Sequence, residues 1–139
     1  MAYSTDSLAI DTSAIVAILF NEAEASIFFE QIRKAEVVWL SSVSKVETMM
    51  VLTSRFNDLA IPKFTGFCDM LSVRIAPIDN ELADLAISAF LRFGKGRHPA
   101  GLNFGDCFSY ALAKKLDAPL LFKGNDFSRT DITSIIITL

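Results

Sequence analysis

Four acidic residues, Asp11, Glu47, Asp106 and Asp126, punctuate this chain where strand-like or helix-like runs begin or end. Asp11 closes Leu8-Ala9-Ile10, and Glu47 follows Val43-Ser44-Lys45-Val46. Asp106 follows Leu102-Asn103-Phe104-Gly105, and Asp126 follows Leu120-Leu121-Phe122-Lys123-Gly124-Asn125. Carboxylates gathered beside an apolar core repel one another and lose hydration, so they need neutralising. A divalent cation is the simplest neutraliser, and hard oxygen ligands suit Mg²⁺, which keeps several waters and accepts phosphate oxygens. One or two such ions lower the pKa of water and stabilise the attacking and leaving oxygens of a phosphodiester. The pattern therefore points to metal-dependent chemistry on phosphate.

Each acid also has a structural use. Asp11-Thr12-Ser13 makes a good helix N-cap. Ser44 and Glu47 match a capping box, although a helix starting near Ser42 carries Glu47 past that position. On a helical wheel Glu47 falls within about 40° of Val43 and between Val46, Met50 and Val51. That stripe is expected to face the core, where a carboxylate needs a partner or a metal. Asp106 lies three residues after Asn103, itself a cap candidate, in a first turn where the helix dipole favours acids. Its apolar company, Tyr110 and Ala113, turns it inward. Asp126 sits in the turn-like Gly124-Asn125-Asp126-Phe127, with Asp131 a rival for the same role.

The elements that must hold these acids follow from apolar periodicity. Strands are expected at Leu8–Ile10, Val37–Leu40, Arg74–Ala76, Leu120–Phe122 and Ile135–Leu139. Helices are expected at Ser13–Phe20, Glu22–Lys34, Val43–Phe56, from Pro62 to about Ser72, Asn80–Phe93 and Asn103–Leu116. The basic Gly/Pro-rich run Gly94 to Gly101 reads as a surface loop. Strands alternating with helices predict an α/β fold, with a mostly parallel sheet covered on both faces. Ligands gather at the carboxyl ends of strands in such folds, where Asp11 and the segment around Asp126 lie.

The 139 residues fit one domain, 1–139, with residues 1–7 expected as a flexible extension. At 52% hydrophobic residues and 12 Phe, the chain can fill a real core, which argues against disorder. A net charge of −3 excludes a global basic field, so any nucleic-acid contact must rest on a local patch. Cys68 and Cys107 read as buried reduced thiols, which with the absence of a targeting segment or membrane span predicts a cytoplasmic protein.

The motifs Ile10-Asp11-Thr12-Ser13-Ala14, Ser42 through Glu47, Leu102 through Ala111, and Leu121 through Phe127 occur in order along almost the whole chain. In these segments the chain resembles the PIN-domain nucleases, and more narrowly the VapC-type toxins of bacterial type II toxin–antitoxin systems. The resemblance implies a PIN-like three-layer fold with a central sheet of about four to five strands. It implies Mg²⁺- or Mn²⁺-dependent endoribonuclease activity, a homodimer and a cognate antitoxin. By matching position, Asp11, Glu47, Asp106 and Asp126 would be the catalytic, metal-binding acids, with Asp126 the position at which family members differ.

Asp11 and Asp106 are expected as central ligands, with Glu47 and Asp126 holding a second ion or orienting water. Ser13 and Asn103 would orient carboxylates or touch phosphate, unless each is simply a cap. An acidic pocket repels RNA, so Arg92, Lys95, Arg97, His98, Lys114, Lys115, Lys123 and Arg129 are the expected sources of phosphate contacts, Arg97 and Lys123 foremost. Phe20, Phe28 and Phe29 would line a groove for an antitoxin segment if they are not core. A phosphatase would want a second Asp where Ser13 stands, and a receiver domain an acidic pair before the first strand's end; neither pattern fits. A non-catalytic PIN-like module binding RNA or protein is the alternative, and four retained acids argue against it.

Overall fold

The computed structural model describes residues 6–135. Its strands are β1 (Ser7–Ile10), β2 (Val37–Ser41), β3 (Val73–Ala76) and β4 (Leu120–Leu121). They form one sheet in the order β3-β2-β1-β4, with every pair parallel. Leu8 registers with Val38, Val38 with Val73, and Ala9 with Leu120. The helices are α1 (Thr12–Leu19), α2 (Ala25–Lys34), α3 (Ser42–Phe56), α4 (Ala60–Leu71), α5 (Asn80–Phe93) and α6 (Phe104–Leu116).

Alternation along the strands sends residues to two apolar layers. Leu8, Ile10, Val38, Leu40 and Leu121 pack with Ile15, Phe28, Ile32, Leu52, Phe64 and Phe67 of α1 to α4. Ala9 and Leu120 face the other way, onto Leu82, Ala86, Ala89, Tyr110 and Leu112 of α5 and α6. Each fully buried Leu or Ile contributes roughly 1.5–3 kcal/mol through its removal from water. The sheet is thus sandwiched between α1–α4 and α5–α6, the three-layer architecture expected.

The strand order decides where the site lies. The chain leaves β1 through α1 and α2 to β2 on one side, whereas β4 pairs on β1's other side. The order reverses between β1 and β4, and a crevice opens beyond the carboxyl ends of strands at such a reversal. Asp11 stands at that end of β1.

Several boundaries move. Ser7 already pairs with Val37, and the Asp6 carbonyl accepts from the N–H groups of Glu36 (2.8 Å) and Val37 (3.0 Å). The extension expected over residues 1–7 therefore does not include these two; residues 1–5 lie outside the described residues. The helix α2 starts at Ala25 rather than Glu22, because Glu22–Glu24 form turns. Pro62 is the third residue of α4 rather than its opener, still within the first turn, whose N–H groups have no intrahelical acceptor. Ser134, one residue before the expected start of the final strand at Ile135, bridges Leu120, and residues 136–139 lie outside the described residues.

Candidate active site

Asp11 leaves β1 with extended backbone (φ −94°, ψ 158°) and caps α1. Its N–H donates to the Leu121 carbonyl (3.0 Å), which clamps it beside β4. Its side chain is 5% exposed, and both oxygens are engaged. Oδ2 accepts from the Ser13 amide (3.0 Å) and the Ser13 hydroxyl (2.7 Å), and Oδ1 accepts from the Ser109 hydroxyl (2.5 Å). Ser13 Oγ also accepts from the Lys123 amide (3.0 Å), tying the ends of β1 and β4 together. Ser13 is thus both a cap partner and a brace for Asp11.

Asp106 enters through α6. Asn103 is extended (φ −84°, ψ −177°), and its Oδ1 accepts from the Asp106 amide (2.9 Å), while Asp106 Oδ2 accepts from the Asn103 amide (3.0 Å). This capping box fixes Asn103 as a cap and aims the Asp106 carboxyl at the strand ends. Between them, Gly105 lies against the Glu47 carboxylate so closely that any Cβ there would collide with it. The glycine lets α6 approach the acid on α3. After β4, Gly124 (φ +102°) adopts a conformation that L side chains rarely take, and the chain turns to Asp126, which is exposed at the rim.

The electrostatics tie these positions together. Burial pushes the Asp106 carboxyl up to about 7; the Asn103 amide opposes this, and the charges of Asp11, Asp126 and Glu47 add to it. Burial also raises Glu47, against the Thr12 hydroxyl, with the Asp11 charge adding. Each of the four carboxylates is thus within the field of at least one other. Among the described residues, no Lys, Arg or His forms an ion pair with any of them.

Among the described residues, no three acidic, His or Cys side chains stand close enough together to cage an ion as they are arranged. Like charges repel, and Asp11 takes two serines and Asp106 its cap as local donors. The donor set nonetheless fits a hard divalent cation. It consists of carboxylate and hydroxyl oxygens, and the nearby Cys107 thiol is held protonated by burial and by Asp106.

Beneath the acids lies a feature that sequence reasoning missed. The buried polar residues among those described are Asp11, Thr12, Ser41, Ser44, Thr48 and Ser109, all at this end of the sheet. Thr48 donates to Thr12 (3.0 Å), and Thr12 to the Ser44 carbonyl (3.2 Å). The Thr12 hydroxyl has one proton and also lies in reach of Glu47, so these two acceptors compete for it. The detectable signal was spacing: Ser44 and Thr48 lie one turn apart on the inward face of α3, Ser41 is its N-cap, and Ser109 lies one turn beyond Asp106.

Other expectations are corrected. The stripe beside Glu47 is not core: Val46 is 59% and Met50 71% exposed, while the inward face of α3 is Ser44, Thr48 and Leu52. Asp131 is engaged elsewhere, accepting from the Tyr110 hydroxyl (2.5 Å) and pairing with Lys114 (2.9 Å) and Arg92 (3.5 Å). Burial raises its carboxyl, but these partners outweigh that and hold it below the ordinary range. Asp126, not Asp131, acts on Asp106.

Of the expected phosphate contacts, Lys123 is bound by Glu22 (2.9 Å) and Glu24 (3.4 Å). Arg97 donates to the Leu91 carbonyl (3.1 Å) and covers the Phe90 ring. Lys115 pairs with Glu81 (3.1 Å) and Asp79 (3.4 Å), and Arg129 reaches the Pro99 carbonyl (3.4 Å). His98 accepts from the Ala100 amide (3.0 Å) and packs edge-on against Phe93, as a loop residue. Exposed Lys95 is left without an ion pair among the described residues. Phe28 is core, and Phe20 packs edge-on against Phe56 beneath Arg55.

Apolar surface flanks the site instead. A groove of about 630 Å³ between α5 and α6 is lined by Ile87, Phe90, Lys95, Phe104 and Phe108. A second, of about 700 Å³, runs past Val46, Glu47, Met50, Phe104 and Gly105. Phe104, 75% exposed, borders both.

The PIN domain family matches residues 8–132. The chain is similar to Ribonuclease VapC of Mycolicibacterium smegmatis, 44% identical over 128 residues that cover 92% of this chain and 99% of that protein. Among solved structures it resembles VapC20 of Mycobacterium tuberculosis, a Sarcin-Ricin loop cleaving toxin, with TM-score 0.73, 21% identity and coverage of 92% and 98%. It also resembles VapBC2 of Rickettsia felis bound to a promoter DNA fragment, with TM-score 0.72, 13% identity and coverage of 92% and 96%.

Proposed function

We propose, from the premise that this chain belongs to the PIN-domain family and within it to the VapC ribonucleases, that it cleaves RNA as the toxin of a toxin–antitoxin pair and does so at the cleft of Asp11, Glu47, Asp106 and Asp126. The observation that carries the assignment of the site is the electrostatic coupling of Asp106 to the other three acids at the reversal of strand order. Asp11 and Asp106 are the central ligands of the cation. Glu47 and Asp126 complete its surroundings or orient water. Mg²⁺ is the proposed physiological ion, with Mn²⁺ able to replace it, because every donor is a hard oxygen. A cation bound there supplies positive charge for the phosphate and lowers the pKa of water.

The chain's own residues do the rest. Ser13 and Ser109 hold the two oxygens of Asp11, and the Asn103 cap holds Asp106. Lys95, in no ion pair among the described residues and beside the α5–α6 groove, is the proposed contact for the RNA backbone. The exposed apolar residues Val46, Met50, Ile87, Phe90, Leu91 and Phe104 are proposed to be covered by a second copy and by the antitoxin, which the protein needs as an inhibitor. No described helix is long and apolar enough to cross a membrane; with RNA as substrate and two free cysteines, the cytoplasm is the proposed compartment.

The test is RNA cleavage by the purified chain with Mg²⁺, Mn²⁺ or EDTA, using Asp11→Asn as control. Cleavage that needs the cation and disappears in a folded Asp11→Asn variant supports the reading. Undiminished cleavage in EDTA, or full activity in the variant, refutes it. RNA or protein binding with no cleavage under any cation would favour a non-catalytic module.

A further inference from the structure

Ser109 donates its one proton to Asp11 Oδ1 (2.5 Å), so toward Ser44 Oγ, 3.2 Å away, it can only accept. Ser44 is therefore the donor in that contact. Its own oxygen accepts from the Ser41 hydroxyl (3.0 Å), and Ser41 Oγ accepts from the Ser44 amide (2.9 Å). Every hydroxyl proton in this chain of three serines points toward Asp11. All three side chains are at most 1% exposed. Deleting one would orphan a buried partner rather than admit a solvent replacement.

Two features set this chain apart from ordinary core polarity. Hydrogen bonds aligned in one direction polarise one another and stabilise the negative end, here the carboxylate. The Ser44–Ser109 contact also joins α3 to α6, with Ser44 three residues before Glu47 and Ser109 three after Asp106. One contact thus sits a single turn from each of those acids. A carboxylate oxygen has two lone pairs, so Ser109 can fix the plane of Asp11 and leave acceptor capacity for a cation.

We propose that Ser109 is a positioning residue of the site: at the end of a one-directional chain of buried hydroxyls it fixes the Asp11 carboxylate for cation binding, and through Ser44 it sets the approach of the helices that carry Glu47 and Asp106. The proposal rests on the metal-site reading above. It names a role for Ser44 and Ser41 beyond capping, since both lie upstream of the same proton sequence.

The full chain is titrated with Mn²⁺ by calorimetry, and RNA cleavage is followed at saturating Mn²⁺, for the wild type, Ser109→Ala, Ser109→Thr, Ser44→Ala and Asp11→Asn. Ser109→Ala should bind Mn²⁺ about 10–100-fold more weakly, the usual cost of losing a partner that orients a metal ligand. Its kcat should fall while KM for RNA holds. Ser109→Thr keeps the donor and should restore affinity, and Ser44→Ala should show a smaller loss. A Ser109→Ala variant that melts lower but binds Mn²⁺ and turns over like the wild type overturns the proposal, because only a packing role would remain. If Ser109→Ala does not fold, Ser44→Ala decides the matter, and wild-type affinity there overturns it. Wild-type Mn²⁺ binding in Asp11→Asn would instead remove the metal reading itself, and the proposal with it.

Discussion

Replacing Asp106 by Asn should stabilise the metal-free protein at alkaline pH while destroying its activity. Asp106 is raised from 3.8 to about 7, first by burial and then by Asp11, Asp126 and Glu47. Between these two pH values the folded chain keeps a proton that the unfolded chain has lost. The stability from this group is therefore complete below about pH 4 and is lost as pH rises through 7. Roughly three units at about 1.4 kcal/mol each set a ceiling near 4 kcal/mol. Asp106 is only part-buried, so solvent screening reduces this to about 1–2 kcal/mol. On a chain of this size that corresponds to a Tm shift on the order of 5 °C.

Asn at 106 can still accept from the Asn103 amide, so the cap need not be lost. Thermal melts in EDTA at pH 5 and pH 8.5 should show the variant's advantage growing with pH. Excess Mg²⁺ should then raise the wild type by RT ln(1 + [L]/Kd), about 2.7 kcal/mol at a hundred times Kd, and leave the variant unmoved. A variant that melts below the wild type by the same margin at both pH values would refute the reasoning and leave Asp106 with a capping role alone.

Gly105→Ala should cut cleavage by at least about tenfold with little change in Tm, because its Cβ displaces the Glu47 carboxylate that orients within the site; cleavage kinetics beside a melting curve would settle this. Asp126→Asn should lower Mn²⁺ affinity, whereas Asp131→Asn should lose the surface ion pairs to Lys114 and Arg92, at most about 1 kcal/mol, keep an oxygen that accepts from the Tyr110 hydroxyl, and keep full activity. Calorimetric Mn²⁺ titration at pH 6 in buffers of different ionisation enthalpy should reveal proton release, since Asp106 is largely protonated there, and that release should vanish by pH 8.5.

Much of this molecule was readable from its residues, for identifiable reasons. The strands and the amphipathic helix α5 followed from period, and Asp11 from its place after Leu8-Ala9-Ile10. The wheel around Glu47 misled, because periodicity finds an apolar face without saying which way it points. Val46 and Met50 look outward, and the inward face of α3 carries the hydroxyls of Ser44 and Thr48 beside Leu52. Ser44 read as part of a capping box, but the cap is Ser41, and the link from Ser44 to Ser109 exists only once α3 and α6 are packed. That Asp131 is engaged by Tyr110 and Lys114 was not legible either, since those partners lie far from it along the chain. Lys123 was lost to Glu22 and Glu24, and no local pattern announces such distant pairing.

The most direct test of the central claim is anomalous diffraction from crystals of the protein soaked in Mn²⁺. A peak within bonding distance of carboxylate oxygens of Asp11 and Asp106, with Glu47 and Asp126 turned toward it, is the expected result. A fully active protein whose Mn²⁺ peak lies elsewhere, or which shows none at saturating ion, would contradict the account.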